Sequence, residues 1–386
     1  MNTACIIIFW LAVFMIFWAN VGYPVSILLL NKIFKKKAKT RDNYEPTVTI
    51  MIVAHNEEKN IAEKLENVVN LNYPKNKTTI LVTSDNSTDK TNSIVKSFIK
   101  KNPKRKIILY EVKERKGKTN AQNEAAKLVT SEILVMTDAN AILDKNCVKE
   151  LVSSFTKNVS YVSGVLVYTN KDISSTSGTE NTYWDLDTKI RQIESNFQTI
   201  TAGNGALYAV KTNEYHDFDP IMCHDSAMPL YFSLQGKRAL SNNRAIAYEK
   251  AGENNQDEFK RKVRMSRIVL RFIMPSIKIL NVFEYKWYTY FYLGHRTSRY
   301  LLWFNHILLF VSNAFLATQS NFYWYVLIVQ VFVYLIAAIQ AVARTKLKPL
   351  IFMSYYCMTV LAQFIGVIKT ILRKDKPFWE KAESTR

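Results

Sequence analysis

A short apolar run that ends abruptly in a carboxylate is the most chemically suggestive stretch of this chain. Ile133 to Met136 is predicted to form a buried strand, and Asp138 follows it, with Asn140 two positions later. In open α/β sheets, ligands bind outside the carboxyl ends of the strands. Oxygen-bearing side chains at this spacing can hold a hard divalent cation between the protein and phosphate oxygens. An Asp that only caps the following turn is the competing interpretation of this segment taken alone.

Composition places this stretch in a polar region between two apolar ones. The chain has 386 residues, 48% of them hydrophobic, and a formal net charge of +20. Two basic runs, Lys35 to Lys37 and Arg344 to Lys348, adjoin apolar stretches, as Lys and Arg do in cytoplasmic loops of membrane proteins. We therefore attribute the positive charge to membrane topology rather than to nucleic-acid binding. The four cysteines are scattered and show neither zinc-ligand nor disulfide spacing.

The apolar runs predict an N-terminal anchor and about three C-terminal spans. The uncharged run from Cys5 to Leu30 is long enough to cross a bilayer of roughly 30 Å, and its flanking charges follow it, which predicts a retained anchor with an outside N-terminus. Further spans are predicted at about 300–317, 322–343 and 349–372. If all three cross, the basic residues after 372 lie outside, against the positive-inside tendency. The alternative is that one late segment is interfacial or re-entrant.

Strands and helices alternate in the middle of the chain. Strands are predicted at 48–54, 78–83, 106–112 and 133–136, with helices between them, and this alternation is typical of a mostly parallel sheet with crossover connections. A later strand is predicted at 161–168, a helix at about 183–196 and another strand after Ala206. The basic helix predicted from Glu258 to Arg271 suits a position in the lipid headgroup region, and a solvated surface helix is an equal alternative.

These observations divide the chain into six parts. They are an anchor (1–31), a basic linker (32–46), an α/β domain (47–256), amphipathic interface helices (257–298), membrane helices (299–372) and a charged tail (373–386).

Seven short motifs follow one another along the α/β domain and the helix after it. In order they are Val53-Ala54-His55-Asn56-Glu57, Ser84-Asp85-Asn86-Ser87-Thr88-Asp89, Lys116-Gly117-Lys118, Thr137-Asp138-Ala139-Asn140, Gly203-Asn204-Gly205-Ala206, Cys223-His224-Asp225 and Arg261-Lys262-Val263-Arg264-Met265. Together they resemble the motifs of membrane-anchored, inverting family-2 glycosyltransferases, which include the cellulose, hyaluronan and poly-N-acetylglucosamine synthases. The resemblance covers about 47–265 and is specific for the family rather than for the sugar.

The resemblance implies a GT-A fold, a Rossmann-like α/β domain with a mostly parallel sheet that faces the cytosol and is flanked by transmembrane helices. Its first motif would hold the nucleobase and ribose, and its second would place Asp85 to accept a hydrogen bond from a uracil ring. The nucleotide-binding residues implied by the family are Ala54, His55, Asn56, Glu57, Asp85, Lys118, Asp138, Arg261 and Arg264.

The fourth motif stands in the place of the family's Asp-x-Asp metal site, which implies Mg²⁺ or Mn²⁺. Asp138 and Asn140 would be the ligands, and the neutral Asn140 leaves open which of the two is the main one. In the last motif, Arg264 is retained and would face the diphosphate, while Arg261 replaces a glutamine.

The remaining motifs concern the acceptor. Gly203, Asn204 and Gly205 resemble the acceptor-side loop, and Asp225 falls where the family carries its catalytic base, with His224 in place of a glutamate. Met265 replaces the tryptophan on which acceptor sugars stack, which predicts the addition of one or a few sugars rather than a long polymer. An aromatic at 183–184 or 285–292 is the alternative stacking surface.

We therefore expect a multi-pass protein of the cell membrane whose cytosolic domain transfers a sugar from a nucleotide-diphospho-sugar, UDP-linked, to a glycan or lipid-linked acceptor in envelope or extracellular polysaccharide synthesis. Membrane lipids are expected partners and nucleic acid is not. A homo-oligomer, or a complex with other polysaccharide-synthesis proteins, is compatible with the family. A polyprenyl-phosphate glycosyltransferase and a catalytically inactive membrane scaffold are the alternatives.

Overall fold

A computed structural model describes residues 2–169, 175–250, 255–343, 345 and 347–374. Its strands are β1 Val48–Ala54, β2 Thr78–Ser84, β3 Lys106–Glu111, β4 Ile133–Asp138, β5 Ile142–Leu143, β6 Val159–Tyr168, β7 Leu207–Lys211 and β8 Arg238–Glu249. Its first helices are α1 Asn2–Phe17, α2 Tyr23–Phe34, α3 Ile61–Val69, α4 Thr91–Lys101, α5 Lys118–Ala126, α6 Cys147–Ser153, α7 Ser175–Phe197 and α8 His224–Leu234. The later ones are α9 Asn255–Met265, α10 Val269–Ile273, α11 Val282–Tyr285, α12 Trp287–Phe291, α13 Ser298–Tyr300, α14 Leu302–Ala317, α15 Asn321–Ala343 and α16 Lys348–Ile371.

The eight strands form one mixed sheet in the order β3-β2-β1-β4-β7-β6-β8-β5. The half made of β3, β2, β1 and β4 is parallel, as the alternation of strands and helices predicts. The other half departs from this pattern, because β7 runs antiparallel to both β4 and β6, and β5 runs antiparallel to β8. The α/β fold class is confirmed, while the strands β5 and β8 and the helices α6 and α8 were not predicted.

Within the parallel half, the strands β1, β2 and β4 are buried on both faces, while the edge strand β3 is largely exposed or partly buried. All seven residues of β1 are buried, because Ile50 and Ile52 enter one apolar core while Met51 and Val53 enter the core on the other side. Strands buried on both faces are expected to be continuously apolar. The polar side chains that the domain needs for chemistry are therefore excluded from these strands until their carboxyl ends.

The N-terminal anchor is a long helix built from α1, a π-helical turn at Trp18–Gly22, and α2. Over 3–34 it is long and apolar enough to cross a membrane, and so are α15 and α16. The helical segment 287–300 and α14 form a further pair, bent by 60°, that qualifies only if the two are counted together. Within the described residues, three helices are membrane-span candidates, or four if the bent pair is one span. The anchor and the predicted spans at about 322–343 and 349–372 are among the three, whereas the predicted span at about 300–317 corresponds to α14, which does not qualify alone.

The helix α16 also contacts α9 and the turn that follows it over much of its length. Near its start, the Tyr355 hydroxyl donates to the buried Glu258 carboxylate of α9 at 3.4 Å. Near its end, the Thr370 hydroxyl donates to the Arg267 carbonyl at 3.0 Å. Between them, an added Cβ at Gly366 would lie 2.8 Å from the Val263 carbonyl oxygen, so the two helices are in backbone contact. The predicted basic helix is therefore packed against α16 on one side.

Candidate active site

The first two motifs meet at the carboxyl ends of β1 and β2. The Asp85 amide donates to the Ala54 carbonyl at 2.8 Å, and His55 Nδ1 lies 2.7 Å from the Asp85 carbonyl oxygen. Asn56 adopts a left-handed backbone with φ 53°, and its side-chain oxygen accepts from the Thr88 amide at 2.8 Å. The structure thus brings the predicted nucleoside-binding residues together, in a loop pair whose backbone is fixed by its own hydrogen bonds.

Glu57 is the acidic residue of the first motif, and it is buried in the turn before α3. Its amide donates to the Thr91 hydroxyl at 2.8 Å, and its carboxylate accepts from the Asn60 amide group at 2.8 Å. These contacts describe a residue that joins the two loops. Its predicted contact with the nucleotide remains a prediction.

The basic turn of the third motif attaches directly to Asp85. The buried Asp85 carboxylate accepts from the Gly117 amide at 3.1 Å and from the Lys116 amide at 3.4 Å. Gly117 has φ 95°, a conformation that favours glycine, and this lets the chain reverse just before α5 begins at Lys118. Burial raises the pKa of Asp85, with the two backbone donors acting in the opposite direction.

Lys118 connects this turn to the end of β4. Its ammonium forms an ion pair with Asp138 and donates to the Gly205 carbonyl at 3.2 Å. Burial alone would lower the pKa of Lys118, but the charge and hydrogen bond of Asp138 exceed that effect and leave the pKa raised. Lys118 is therefore a fixed cation between the metal-site motif and the acceptor-side loop.

Asp225 lies near Lys118 and the acceptor-side loop. The Asp225 carbonyl accepts from the Gly203 amide at 2.7 Å, which joins the start of α8 to the acceptor-side loop. A Cβ added at Gly205 would lie 3.5 Å from Asp225 Oδ2 and 3.7 Å from Lys118 Nζ, so both charged groups flank this glycine. Burial raises the pKa of Asp225, opposed by the nearby charges of Lys118 and Arg296.

Side chains of α7 and β6 hold the acceptor-side loop by hydrogen bonds. Arg191 of α7 donates to the Gly203 carbonyl at 2.5 Å, and the Asn204 amide donates to the Ser163 hydroxyl at 2.8 Å. A side chain at Gly203 would overlap the Tyr161 hydroxyl, so the close approach of the loop to β6 requires glycine.

His224 does not face the site although it precedes Asp225. It is buried among Asn123, Tyr208 and Tyr215, with Nε2 3.0 Å from the Asn123 side-chain oxygen and 3.3 Å from the Tyr215 hydroxyl. Burial lowers the pKa of His224 to about 3, so this imidazole stays neutral. It is a packing residue at the start of α8 that orients the helix carrying Asp225.

The two arginines of the last motif lie on α9. Arg261 donates to the buried Glu258 carboxylate from Nε at 2.7 Å and from Nη2 at 2.9 Å. Burial, and then the Arg261 charge, lower the pKa of Arg264 to about 10, while Cys223 and Asp138 act in the other direction. Arg264 is thus electrostatically coupled to the site, and Met265 beside it is 47% exposed. The alternative stacking residues at 183–184 have side chains outside the described part of the structure.

Two charged residues of this site were not predicted. Lys64 of α3 is fully buried below the turn after β4 and donates to the Thr137 hydroxyl at 2.8 Å, and burial lowers its pKa to about 7. Glu249 ends β8, and burial together with the Asp138 charge raises its pKa to about 7. The sequence of an amphipathic helix does not predict that one of its lysines is buried. The sequence pattern also did not predict β8, so Glu249 at its end was missed.

The oxygen donors at the end of β4 fit a hard divalent cation, because Asp138 offers a carboxylate and Asn140 an amide oxygen beside a partly exposed sheet edge. Among the residues that the structure describes, no three His, Cys, Asp or Glu side chains gather closely enough to form a metal site by themselves. A cation at this edge would therefore also need oxygens of a bound ligand.

A solved glycosyltransferase has the same fold as this chain. The mannosyltransferase PcManGT from Pyrobaculum calidifontis, solved in complex with GDP-Man and Mn²⁺, superposes with a TM-score of 0.70 and 21% identity over 95% of this chain and 100% of that one. The chain thus has the GT-A glycosyltransferase fold. Residues 49–212 match the family described as glycosyl transferase family 2, and this part of the chain is a domain of that family.

Two curated relatives match parts of the chain. The beta-monoglucosyldiacylglycerol synthase of Nostoc sp. is 34% identical over 110 residues, 28% of this chain and 24% of that protein. The poly-beta-1,6-N-acetyl-D-glucosamine synthase of Staphylococcus epidermidis is 26% identical over 281 residues, 69% of this chain and 66% of that protein. The chain therefore matches about a quarter of one relative and about two thirds of the other.

The buried position of His224 leads to a first prediction. Replacing His224 with alanine leaves the Asn123 and Tyr215 groups without this partner and opens a cavity, which should lower the free energy of unfolding by about 2 kcal/mol. The melting temperature of the detergent-solubilised protein measures this. The comparison is with the native protein. A melting temperature equal to that of the native protein would show that the His224 contacts contribute nothing to stability.

Proposed function

We propose that this chain is a membrane-anchored, inverting glycosyltransferase that moves a sugar from a nucleotide-diphospho-sugar, UDP-linked, to a glycan or lipid-linked acceptor of the cell envelope. We assign catalysis to residues 47–256 and the helix that follows them. The observation that carries the proposal is that Asp138, at the end of β4, and Asp225, at the start of α8, both lie beside Lys118. One carboxylate is then available to the donor and the other to the acceptor.

We assign the donor nucleoside to the loops after β1 and β2. The two loops are joined at Ala54 and Asp85, and they lie at the carboxyl ends of parallel strands, where ligands of open α/β sheets bind. Asp85 is the buried acceptor for a ring N–H of the base. The relative from Pyrobaculum was solved with GDP-Man, so a test of donors must include both UDP- and GDP-sugars.

The diphosphate would lie between the end of β4 and α9. Asp138 and Asn140 are the residues that would hold Mg²⁺ or Mn²⁺, and the cation would supply charge neutralisation for the departing diphosphate. Lys118 and Arg264 add fixed positive charge on the same side, and a guanidinium matches phosphate oxygens in shape as well as in charge. Because the ion pair of Lys118 is already made, little side-chain ordering remains when the donor binds.

Asp225 is the proposed general base. Its carboxylate would accept the proton of an acceptor hydroxyl while that oxygen attacks the anomeric carbon, and a single displacement of this kind inverts the anomeric centre. The pKa raised by burial makes the carboxylate a stronger base than an exposed aspartate. The Gly203 to Gly205 loop, which is bonded to Asp225 and Lys118, would form the acceptor side.

We expect this enzyme to add one or a few sugars. Met265 is about half exposed beside Arg264, and a flexible thioether offers no flat surface on which a growing chain could stack. The names of the two curated relatives point to both possible product classes, since one is a polysaccharide synthase and the other a glycolipid synthase.

We also propose that α16 is the late apolar segment that does not cross the membrane. The charged residues Glu258 and Lys262 lie against Tyr355, with Lys262 Nζ 4.6 Å from the ring centroid. Charges of this kind are costly in the hydrocarbon core. If α14 and α15 cross as a hairpin and α16 lies at the cytosolic surface along α9, the basic loop 344–348 and the residues after 372 are all cytosolic. This arrangement satisfies the positive-inside tendency.

The second prediction separates the two carboxylates. Asp225→Asn should leave nucleotide binding nearly unchanged and slow transfer by about 10²–10⁴, the usual contribution of a general base, whereas Asp138→Ala should weaken the binding of UDP with Mn²⁺. Single-turnover rates and calorimetric titration measure the two effects.

Asp217→Asn, the same change at an exposed aspartate, is the control for Asp225→Asn. A fully active Asp225→Asn enzyme would refute the assignment of the base and would favour an acceptor that is already an anion, such as a polyprenyl phosphate. Absence of any nucleotide-sugar turnover by the native protein would favour the scaffold alternative.

The third prediction concerns topology. Reporters or single cysteines at position 40, in the loop 344–348 and directly after Lys374 should all be labelled from the cytosol, and the N-terminus from outside. An outside position directly after Lys374 would mean that α16 crosses. An outside loop at 344–348 would refute the order of spans.

A further inference from the structure

The end of β4 offers only one charge to a cation. Asp138 is followed by the neutral Asn140, and a site for a divalent ion gains affinity with each charged oxygen ligand. The strand pairing brings another carboxylate to this turn. In the antiparallel pair of β5 and β8, Ile142 lies opposite Tyr248 and Leu143 lies opposite Ala247. Extending this register by one residue places Glu249 opposite Ala141, next to Asn140.

The surroundings of Glu249 show that it belongs to the site. Its backbone carbonyl accepts from the Thr169 amide at 2.9 Å, which fixes the end of β8 against the end of β6. Within the described part of the chain, its half-buried carboxylate makes no hydrogen bond or ion pair. Four charged groups lie near enough to act on it: Asp138, Lys118, Lys64 and Arg261. Three of them belong to the proposed donor site, and Lys64 lies below the turn after β4.

The turn that faces Glu249 is held rigidly from below. The fully buried Lys64 ammonium donates to the Thr137 hydroxyl at 2.8 Å and to the Ala141 carbonyl at 2.5 Å, one bond on each side of the segment from Asp138 to Asn140. These two bonds fix the segment to α3 before any ligand binds, and the pairing of β5 with β8 links the same turn to the strand that ends in Glu249. The Lys64 cation also offsets part of the repulsion between two carboxylates placed above it.

We propose that Glu249 supplies the second carboxylate of the divalent-cation site, together with the Asp138 carboxylate and the Asn140 amide oxygen. The three side chains form an all-oxygen donor set with two negative charges, which suits Mg²⁺ or Mn²⁺. The charge that Asn140 lacks is thus provided from β8. This inference rests on the proposed function, because it names a further ligand for the cation that the donor diphosphate would share.

The test is a Mn²⁺ titration in the presence of UDP, followed by the electron paramagnetic resonance signal of free Mn²⁺. Glu249→Gln should weaken Mn²⁺ binding at least ~10-fold, since even residues behind the ligands contribute that much. Asn140→Asp combined with Glu249→Gln returns a carboxylate to the turn and should recover most of the lost affinity. Glu214→Gln is the matched control. Glu214 pairs with Lys211 and Lys237, and Lys211 lies opposite Ile133 at the start of β4. This carboxylate is therefore at the other end of β4 from Asp138.

The reference variant in this experiment is Asp138→Ala. If Asp138→Ala abolishes Mn²⁺ binding and Glu249→Gln leaves it unchanged, the assignment of Glu249 is wrong while the proposed function stands. If Asp138→Ala also leaves binding unchanged, the cation site of the proposed function is itself wrong, and the role of Glu249 falls with it. Melting temperatures equal to that of the native protein exclude unfolding as the cause of a loss, and recovery in the double variant supports the proposal.

Discussion

The interaction on which the rest of this site depends is the ion pair of Lys118 with Asp138. Lys118 starts α5 directly after a turn whose amides bind Asp85, and its ammonium also binds the Gly205 carbonyl. A single cation therefore joins the ends of β2 and β4 to the loop that carries the acceptor side. Removing it would leave the Asp138 and Asp225 carboxylates close together without the positive charge between them, and like charges at short range are costly in a buried site.

A buried hydrogen-bond network connects the predicted anchor to the acceptor side of the site. Arg191 of α7 binds the Gly203 carbonyl, and Glu194 of the same helix accepts from the Tyr23 hydroxyl of the anchor at 2.6 Å. His295 lies between Glu194 and Asp187, with ring nitrogens 2.7 Å and 2.9 Å from their carboxylates. The predicted N-terminal anchor thus enters the same buried polar network that supports the loop beside Asp225.

The parallel half of the fold could be predicted because its strands are continuous apolar runs, each ending in polar residues that mark the sheet edge. The other half could not. The strand β8 carries the polar run 241–244 in its middle, which breaks any apolar alternation, so neither the strand nor Glu249 at its end was visible. Lys64 was hidden for another reason, since burial of a lysine depends on acceptors that come from β4 and the turn after it. Only the order of the motifs predicts a catalytic role for Asp225, because its local sequence does not distinguish it from other aspartates.

In the proposed mechanism, Asp225 and the groups around Lys118 carry out a single inverting displacement. The most direct measurement is to incubate the purified protein with a panel of UDP- and GDP-sugars and an acceptor fraction from membranes, and to determine the anomeric configuration of the product by NMR. A single inverting displacement predicts release of the nucleoside diphosphate and a product with the opposite anomeric configuration to the donor. A product that retains the donor configuration would contradict the single displacement and the role given to Asp225.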